Sequence, residues 1–165
     1  VMASGPIVTT HEATIAPSLP PVARVGVQLS VPGKLHTLRW YGRGPHESYS
    51  DRQSGCKLGR FESEVDDTYV PYLCPQDNGN KSDVRWAALI GEEGRGLLVQ
   101  AGQHDTMHVS AHRFTPHDLH RCRHADQVRQ REDVTVTVDH RHMPCGGDNS
   151  WSRAHMPKYL VRPGS

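Results

Sequence analysis

The clearest hydrophobic pattern in the chain is a run of β-branched residues at positions 134–138. Its sequence, VTVTV, puts valines at one parity and threonines at the other, which is the alternation of a β-strand. Residues 25–31 alternate in the same way, with apolar residues at the odd positions, and Pro32-Gly33 follows them as a turn signal. Both segments are therefore predicted to be β-strands.

Several other short segments carry strand patterns bounded by turn residues. Residues 35–41 are predicted to close a hairpin with residues 25–31. Residues 84–90 and 96–101 are predicted to form another hairpin around the sequence GEEG. Further strands are predicted at residues 7–10, 61–65, 107–114 and 159–161.

Only one segment carries a good helix-start signal. Thr115 can accept a hydrogen bond at the N-cap, Pro116 suits the first turn, and Asp118 completes a capping box. The helix is predicted to be short and to end near residue 123.

The composition agrees with a β-rich domain and narrows the classes of partner. With 15 glycines, 12 prolines and an apolar fraction of 35%, the 165-residue chain fits one all-β domain with long loops better than a helix bundle. A net charge of +1 with acids and bases interspersed does not indicate a nucleic-acid or membrane-surface partner. The chain has no apolar run of about 18 residues and no signal-peptide pattern, so no membrane span is predicted.

The cysteines bear on the cellular compartment. None of the four shows a paired or C-x-x-C spacing, so we interpret them as reduced thiols of a cytoplasmic protein, with a disulfide bridge left open. They are Cys56, Cys74, Cys122 and Cys145.

Twelve histidines raise the question of a metal site. A zinc site needs ligands that converge from two elements, each oriented by a further group. Two groups of histidines are regularly spaced. One lies on the predicted helix beside Cys122, and the members of the other share the parity of one strand face. Neither group has the spacing of a zinc finger or of H-E-x-x-H. Solvated or hydrogen-bonded histidines are therefore favoured, and no metal site is predicted. The two groups are His117, His120 and His124, and His104, His108 and His112.

A polar segment after the strand at 35–41 offers candidate chemistry. Glu47 and Asp51 are carboxylates four residues apart, and Arg52 follows them. A catalytic pair would need a pKa raised by burial, for which the sequence gives no sign. We therefore interpret the three side chains as ion-paired anchors of a loop.

The segment 139–151, DHRHMPCGGDNSW, follows the clearest strand and is the most unusual stretch of the chain. Gly146-Gly147 predicts a turn that stops the strand. The residues between that turn and Trp151 are small and polar, which predicts that the tryptophan lies on a loop with its ring partly exposed. From these residues alone, Trp151 is as well explained by core packing as by a stacking surface for a ligand.

Four stretches together carry a family resemblance. The sequence GGDNSW resembles the GGDDSW loop in the last domain of large, multidomain β-galactosidases of glycoside hydrolase family two. Three other stretches resemble segments of that domain in the same order, and the motifs cover most of residues 19–151, while residues 1–18 carry no recognisable motif. The three are WYGRGPHESYSDR (40–52), PYLCPQDNGNKSDVRW (71–86) and VSAHRFTPHDLHRCRHADQV (109–128).

The resemblance implies a fold and a division of the chain. The matching domain is a large antiparallel β-sandwich, a supersandwich similar to galactose mutarotase, so an all-β sandwich with one short helix is expected. Residues 19–165 would be this domain, corresponding to the later part of the larger family domain, after a weakly patterned segment at 1–18. His124 matches a histidine common in the family and is expected to be structural.

The resemblance also implies a function. Enzymes of this family hydrolyse terminal β-galactosides such as lactose with retention, using two carboxyl groups on a (β/α)₈ barrel. That barrel, with its Mg²⁺ and Na⁺, lies in other domains, so no catalytic residue and no cofactor is expected in this chain, and the isolated chain is predicted to be inactive. The implied partners are a galactoside, the barrel domain and, as an open question, further copies of the enzyme. The residues implied to bind the sugar are Trp151, by stacking, and Asp148.

Some features of the chain depart from the family pattern, and other functions stay open. Asn149 stands where the family usually has a second Asp, and Pro144 replaces a usual Gly. One alternative is a stand-alone carbohydrate-binding or aldose-epimerase-like module, which as an epimerase would need a positioned His and carboxylate. Another is a purely structural domain of a larger assembly.

Overall fold

The computed structural model describes residues 5–146, 151 and 155–163, and these form two four-stranded antiparallel β-sheets. A single short α-helix, α1 (Pro116–Arg121), accompanies the sheets within those ranges. The strands are β1 (Arg24–Val31), β2 (Thr37–Gly44), β3 (Lys57–Glu64), β4 (Lys81–Val84), β5 (Trp86–Ile90), β6 (Gly96–Gln100), β7 (Met107–His112) and β8 (Val134–His142).

Some neighbouring strands in each sheet are adjacent in the sequence, and others are far apart in it. One sheet has the order β1-β8-β7-β4 and the other has the order β3-β2-β5-β6. Every pairing is antiparallel. The prediction of an all-β antiparallel sandwich with one short helix is therefore confirmed.

The core lies between the facing sides of the two sheets. In one sheet Leu38 of β2 is paired with Leu89 of β5, and in the other Ala111 of β7 is paired with Val136 of β8, so alternate residues face inwards together. Burial of one such aliphatic side chain contributes about 1.5–3 kcal/mol. The cluster comprises Val31, Leu38, Trp40, Val65, Val84, Ala87, Leu89, Met107, Val109, Ala111, Val134 and Val136.

The predicted hairpin between residues 25–31 and 35–41 is wrong. Val31 at the end of β1 is paired with Val134 of β8, whereas β2 is paired with β3 and β5 in the other sheet. The connection between β1 and β2 turns through a hydrogen bond from the Leu35 amide to the Pro32 carbonyl and carries the chain from one sheet to the other. The strand pattern shows which face of each strand is buried, but not which sheet the strand joins.

The second predicted hairpin is confirmed with a shorter first strand. Strands β5 and β6 are paired in register, and the turn between them has Gly94 at φ +70°. The first predicted strand began at residue 84, but residues 81–84 form the separate strand β4 in the other sheet. Arg85 makes the crossing, and its amide donates to the Tyr41 carbonyl.

The helix has its predicted capping box. The Asp118 amide donates to Thr115 Oγ1 at 3.1 Å, and the Thr115 amide donates to Asp118 Oδ2 at 2.9 Å. The helix ends at Arg121, two residues before the predicted end. Together with the buried Leu119, this segment covers the outer face of β8, where Thr135 and Thr137 are 6% and 5% exposed. Both faces of β8 are therefore buried from Val134 to Thr137.

Two predicted strands near the chain ends are wrong. Residues 7–10 form no strand, and Ile7 and Val8 are 89% and 85% exposed, because no neighbouring strand pairs with them. At the other end, Pro157–Tyr159 is a 3-10 helix, and only Val161 forms a bridge, to Val22. A proline fixes φ near a helical value, which favours the turn over a strand.

No helix in the described part of the chain is both long and apolar enough to cross a membrane.

Candidate functional site

The tryptophan predicted on a loop lies outside the core. Trp151 occupies a bend and is 95% exposed, so the prediction of an exposed ring is confirmed. The prediction that Asp148 contacts a sugar stays a prediction, because residues 147–150 lie outside the described residues. The last described residue before this gap, Gly146, has φ +76°, and a Cβ there would lie 2.6 Å from His155 Nε2. Glycine is therefore required at this point. Below, residues 146–151 are called the GGDNSW segment.

A tight turn at residues 49–52 holds the start of the GGDNSW segment. The Asp51 carboxylate accepts two hydrogen bonds from consecutive amides, from Cys145 N to Oδ1 at 2.9 Å and from Gly146 N to Oδ2 at 2.8 Å. Arg52 Nη2 donates to the Gly146 carbonyl at 3.1 Å. These side chains anchor a loop, as predicted, but the partners shown for them are backbone groups rather than opposite charges.

Glu47 joins the same turn to the neighbouring segment 69–79. Its carboxylate accepts a short hydrogen bond from the Tyr72 hydroxyl, one from the Gly79 amide at 2.8 Å and one from the Tyr49 hydroxyl at 3.4 Å. Burial, and next the charge or hydrogen bond of Glu47, raise the pKa of both phenols above their ordinary value. Both phenols therefore stay protonated and donate to Glu47, which acts as a structural acceptor.

A charged network continues from Glu47 to the end of β8. His142 places Nδ1 at 2.7 Å from the Met143 carbonyl and Nε2 at 3.0 Å from Asp77 Oδ2. Both partners are hydrogen-bond acceptors. Burial alone would raise the pKa of Asp77, but the hydrogen bond from His142 and the charge of Arg24 outweigh it and lower that pKa. Arg24 also binds Asp139 at 2.7 Å.

The pKa of Asp139 is shifted in the opposite direction from that of Asp77. Asp139 is 2% exposed, and burial raises the pKa of its carboxyl even though Arg24 lowers it. The Arg24 guanidinium therefore bridges two carboxylates, one accessible and one enclosed, on the outer face of the sheet. This bridge joins β1 to β8 and to the segment that carries Asp77.

The histidines of β7 are structural. His108 Nδ1 accepts from Asn80 Nδ2 at 3.0 Å, and His112 Nε2 lies 2.9 Å from the Asn78 carbonyl, to which it can donate. Burial lowers the pKa of His108 to about 4 and lowers that of His112 as well, so both rings are neutral at pH 7. Hydrogen-bonded histidines, the favoured interpretation, are therefore found at these two positions.

The other predicted histidine groups do not converge. His104 lies in a turn at φ 74° before β7 rather than in the strand, and His117, His120 and His124 are exposed. Across the described ranges, no three His, Cys, Asp or Glu side chains are placed to hold a metal ion. All four cysteines are free thiols.

Sequence reasoning missed several residues of this network. Tyr72 and Asp77 lie within the stretch 71–86 that carries the resemblance, but nothing in their spacing shows that they face Glu47 or His142. His142 gave no usable signal either, because the register of β1 and β8 shifts between Asp139 and Arg141, so the alternation of β8 does not continue to His142. Arg24 gave no signal, since its partner Asp139 lies 115 positions away and nothing near Arg24 in the sequence indicates that pairing.

The cavity beside the His–Asp network is small. Its volume is about 10 Å³, whereas small-molecule sites have volumes of about 300–1,000 Å³. His142 is itself 4% exposed. The described residues therefore do not form an enclosed sugar pocket at this network. The cavity is lined by Asp77, Ser110, His112, Phe114, Pro116, Leu119, Thr135 and Thr137.

The fold and site define a β-sandwich domain with an exposed tryptophan and a network of carboxylates engaged in structural hydrogen bonds. The sequence model of the family described as "Beta galactosidase small chain" matches residues 2–165. The chain therefore belongs to the β-galactosidase small-chain family, and the resemblance found in its motifs is confirmed.

Curated relatives agree with this assignment. The chain is 37% identical over 152 residues to a β-galactosidase of Priestia megaterium, a match that covers 91% of this chain and 14% of the relative. It is 33% identical over 150 residues to a β-galactosidase of Vibrio cholerae, with coverage of 91% and 14%. An Aeromonas hydrophila β-galactosidase is 33% identical over 157 residues, with coverage of 93% and 14%. The chain thus spans about one seventh of the length of these relatives.

Proposed function

We propose that this chain is the small-chain domain of a β-galactosidase that hydrolyses terminal β-galactosides such as lactose with retention. In this proposal the chain supplies Trp151 to the sugar-binding surface, with Asp148 beside it, and the catalytic carboxylates lie elsewhere in the polypeptide. The observation that carries the proposal is the 95% exposure of Trp151 next to a turn that is hydrogen-bonded on both sides of Gly146.

The chemistry of an indole suits this role. Its flat apolar face matches the C–H face of a pyranose, and its ring N–H can donate to a hydroxyl. Trp151 leaves almost all of its surface exposed, and tryptophan is enriched at interfaces. The proposed partners are therefore the galactoside and the barrel domain that holds the rest of the sugar site.

The described carboxylates favour placing the chemistry outside this chain. A retaining glycosidase needs two carboxyl groups about 5–5.5 Å apart and free to act on the glycosidic bond. Glu47, Asp51 and Asp77, the carboxylates of the network described above, are each engaged by structural hydrogen bonds. The catalytic pair, and the Mg²⁺ and Na⁺ of the family, are accordingly proposed to belong to other domains. A supersandwich similar to galactose mutarotase, a cytoplasmic location and assembly into a homo-oligomer belong to the same proposal.

The alternative of an aldose-epimerase-like or stand-alone carbohydrate-binding module has one point in its favour. The pair of His142 and Asp77 is the kind of His–carboxylate pair that an epimerase uses. His142 is buried, however, and the adjoining cavity of about 10 Å³ does not hold a sugar ring. These observations favour the β-galactosidase domain.

The test is Trp151→Ala in the full β-galactosidase polypeptide that contains this chain. We expect kcat/KM for a nitrophenyl galactoside to fall about tenfold, equivalent to about 1.4 kcal/mol, because the stacking surface is lost. Trp151→Phe keeps an aromatic face and should restore part of the loss. Leu19→Ala is the control, since Leu19 is an apolar side chain with 51% exposure outside the named strands. Unchanged KM and kcat in Trp151→Ala, with lower stability, would show a purely structural tryptophan.

A further inference from the structure

We propose that Asp51, assisted by Arg52, is a positioning residue that sets the direction in which the chain presents Trp151 to the sugar. The inference rests on the proposed function and adds to it two residues that act through the backbone. Their hydrogen-bonding groups contact Cys145 and Gly146.

Asp51 and Arg52 together bind three consecutive peptide units around Cys145 and Gly146. Each carboxylate oxygen accepts from one of two consecutive amides, those of Cys145 and Gly146, at 2.9 and 2.8 Å. The Gly146 carbonyl is bound from the other direction by Arg52 at 3.1 Å. Hydrogen bonds to a charged group are shorter and about twice as strong as neutral ones. The backbone on both sides of Gly146 is therefore held in one orientation.

Gly146 is the position at which such a constraint has the largest effect. Its φ of +76° lies in the left-handed region, which glycine reaches without steric cost. A rotation at this residue would redirect the chain beyond it, and Trp151 lies five positions further along, up to about 17 Å of extended chain away. Fixing the amide and carbonyl of Gly146 therefore sets the direction in which the chain leaves Gly146 towards Trp151.

The turn that supplies Asp51 is itself well defined. Tyr49 and Arg52 form an isolated antiparallel bridge, in which the Arg52 amide donates to the Tyr49 carbonyl at 2.9 Å. The Tyr49 side chain is 2% exposed and packs edge-on against His142 at 5.5 Å between ring centroids. The carboxylate is thus presented from a turn that is packed against the end of β8.

The contacts of Asp51 and Arg52 are separate from the apolar core. Arg52 is exposed and Asp51 is partly exposed, and neither belongs to the hydrophobic cluster between the sheets. Changes at these positions are therefore expected to leave the sandwich folded. Asp118 offers a matched control, because its carboxylate also accepts a backbone amide, that of Thr115, and binds an arginine, Arg131.

The test is a double-mutant cycle in the full β-galactosidase polypeptide, with Asp51→Asn, Trp151→Ala and the double variant. An Asn side chain offers one acceptor oxygen and turns its NH₂ group towards the second amide, so one of the two hydrogen bonds is lost. With Trp151 present, we expect Asp51→Asn to raise KM for a nitrophenyl galactoside roughly three- to thirtyfold. In the Trp151→Ala background we expect no further change, because the two residues act through one contact.

Two further variants keep the test decisive. Arg52→Gln removes an exposed side chain and should raise KM in the same direction by a smaller factor. Asp118→Asn should leave KM unchanged although it removes hydrogen bonds of the same kind. The thermal midpoint of each variant reports whether the domain is folded, and if Asp51→Asn proves unfolded, the cycle between Arg52→Gln and Trp151→Ala replaces it.

The outcomes separate this inference from the proposed function. If Trp151→Ala leaves KM and kcat at wild-type values, the proposed stacking role fails whatever Asp51→Asn does. If Trp151→Ala raises KM but Asp51→Asn has no effect, or has the same effect in both backgrounds, the positioning role is overturned and the stacking role stands. Non-additive effects of the two substitutions on KM support the positioning role.

Discussion

His108 and His112 show how burial fixes the protonation of a side chain in this domain. Both project from β7 to the outer side of its sheet, where Asn80 and the Asn78 carbonyl bind their ring nitrogens. Desolvation lowers the pKa of His108 from 6.5 to about 4, and the nearby charges of His142 and Arg24 act in the same direction. Asn80 donates to the His108 ring, and a donor favours the neutral form of imidazole.

The lowered pKa of His108 predicts a pH dependence of stability. Between pH 6.5 and 4 the unfolded chain binds a proton at this residue that the folded chain does not bind, so stability is complete above pH 6.5 and falls as the pH decreases. We expect this residue to reduce the free energy of unfolding by up to about 3 kcal/mol over that range. Urea denaturation of the 165-residue chain at a series of pH values measures the slope.

Two variants assign that slope. His108→Gln should make the pH dependence shallower, because the titrating ring is gone. His117→Gln, at an exposed position on α1, should leave it unchanged. A wild-type unfolding free energy that stays constant from pH 6.5 to 4 would contradict the prediction.

At the scale of elements, β1 approaches β8 closely at Gly26. A Cβ added to Gly26 would lie 2.3 Å from the Val138 carbonyl and 2.5 Å from the Asp139 Cα, and the register of the two strands shifts just before this glycine. A shift of this kind is a β-bulge, which leaves room for one strand to approach its neighbour. Arg24, at the start of β1, then reaches Asp139 and Asp77.

We therefore expect Gly26→Ala to destabilise the domain by about 1–3 kcal/mol, the usual cost of overpacking, with β1 displaced from β8. Thermal unfolding measures the loss, and faster amide exchange of the β1 residues locates it. Gly55→Ala is the control, because no atom lies within 4 Å of a Cβ there. Equal stability of the two variants would show that β1 adapts without cost.

Local signals predicted elements well and their partners poorly. The alternation in β1 and β8 and the Thr115–Asp118 capping box lie within a few residues, so the sequence alone was enough to find them. The pairing of β1 with β8 was not predictable, because the strands are separated by roughly a hundred residues and neither pattern names its partner. In the site, local sequence signals identified Asp51 and Arg52 as anchors of a loop. Their backbone partners lie 94 and 95 positions away, and the sequence did not predict them.

At the scale of the whole molecule, the chain presents exposed apolar side chains at strand edges and beside the site. Leu58 of β3 and Leu98 of β6 are 48% and 62% exposed, and Leu73 in the segment that carries Tyr72 is 89% exposed. Both β3 and β6 are edge strands of their sheet. Such edges favour association with another chain or domain, which agrees with a chain that spans about one seventh of its relatives.

The same view of the molecule predicts that the 165-residue chain alone does not hydrolyse β-galactosides. The carboxylates beside the GGDNSW segment are occupied by structural hydrogen bonds, and the described residues form no enclosed sugar pocket around them. A nitrophenyl galactoside assay on the purified chain measures this, with Glu47→Gln as the companion variant. Turnover that survives Glu47→Gln would contradict both the predicted inactivity and the structural role of Glu47.

The pairing of β1 with β8 has a consequence for folding during synthesis on the ribosome. Arg24 and Asp139 are 115 positions apart, and synthesis proceeds at about 5–20 residues per second. After β1 has been synthesised, roughly 6–25 seconds therefore pass before β8 has also been synthesised and can pair with it. During that interval its valines and Leu29 are available to chaperones or to other nascent chains. Gly146 follows β8 in the sequence, so Asp51 can bind it only after β8 has also been synthesised.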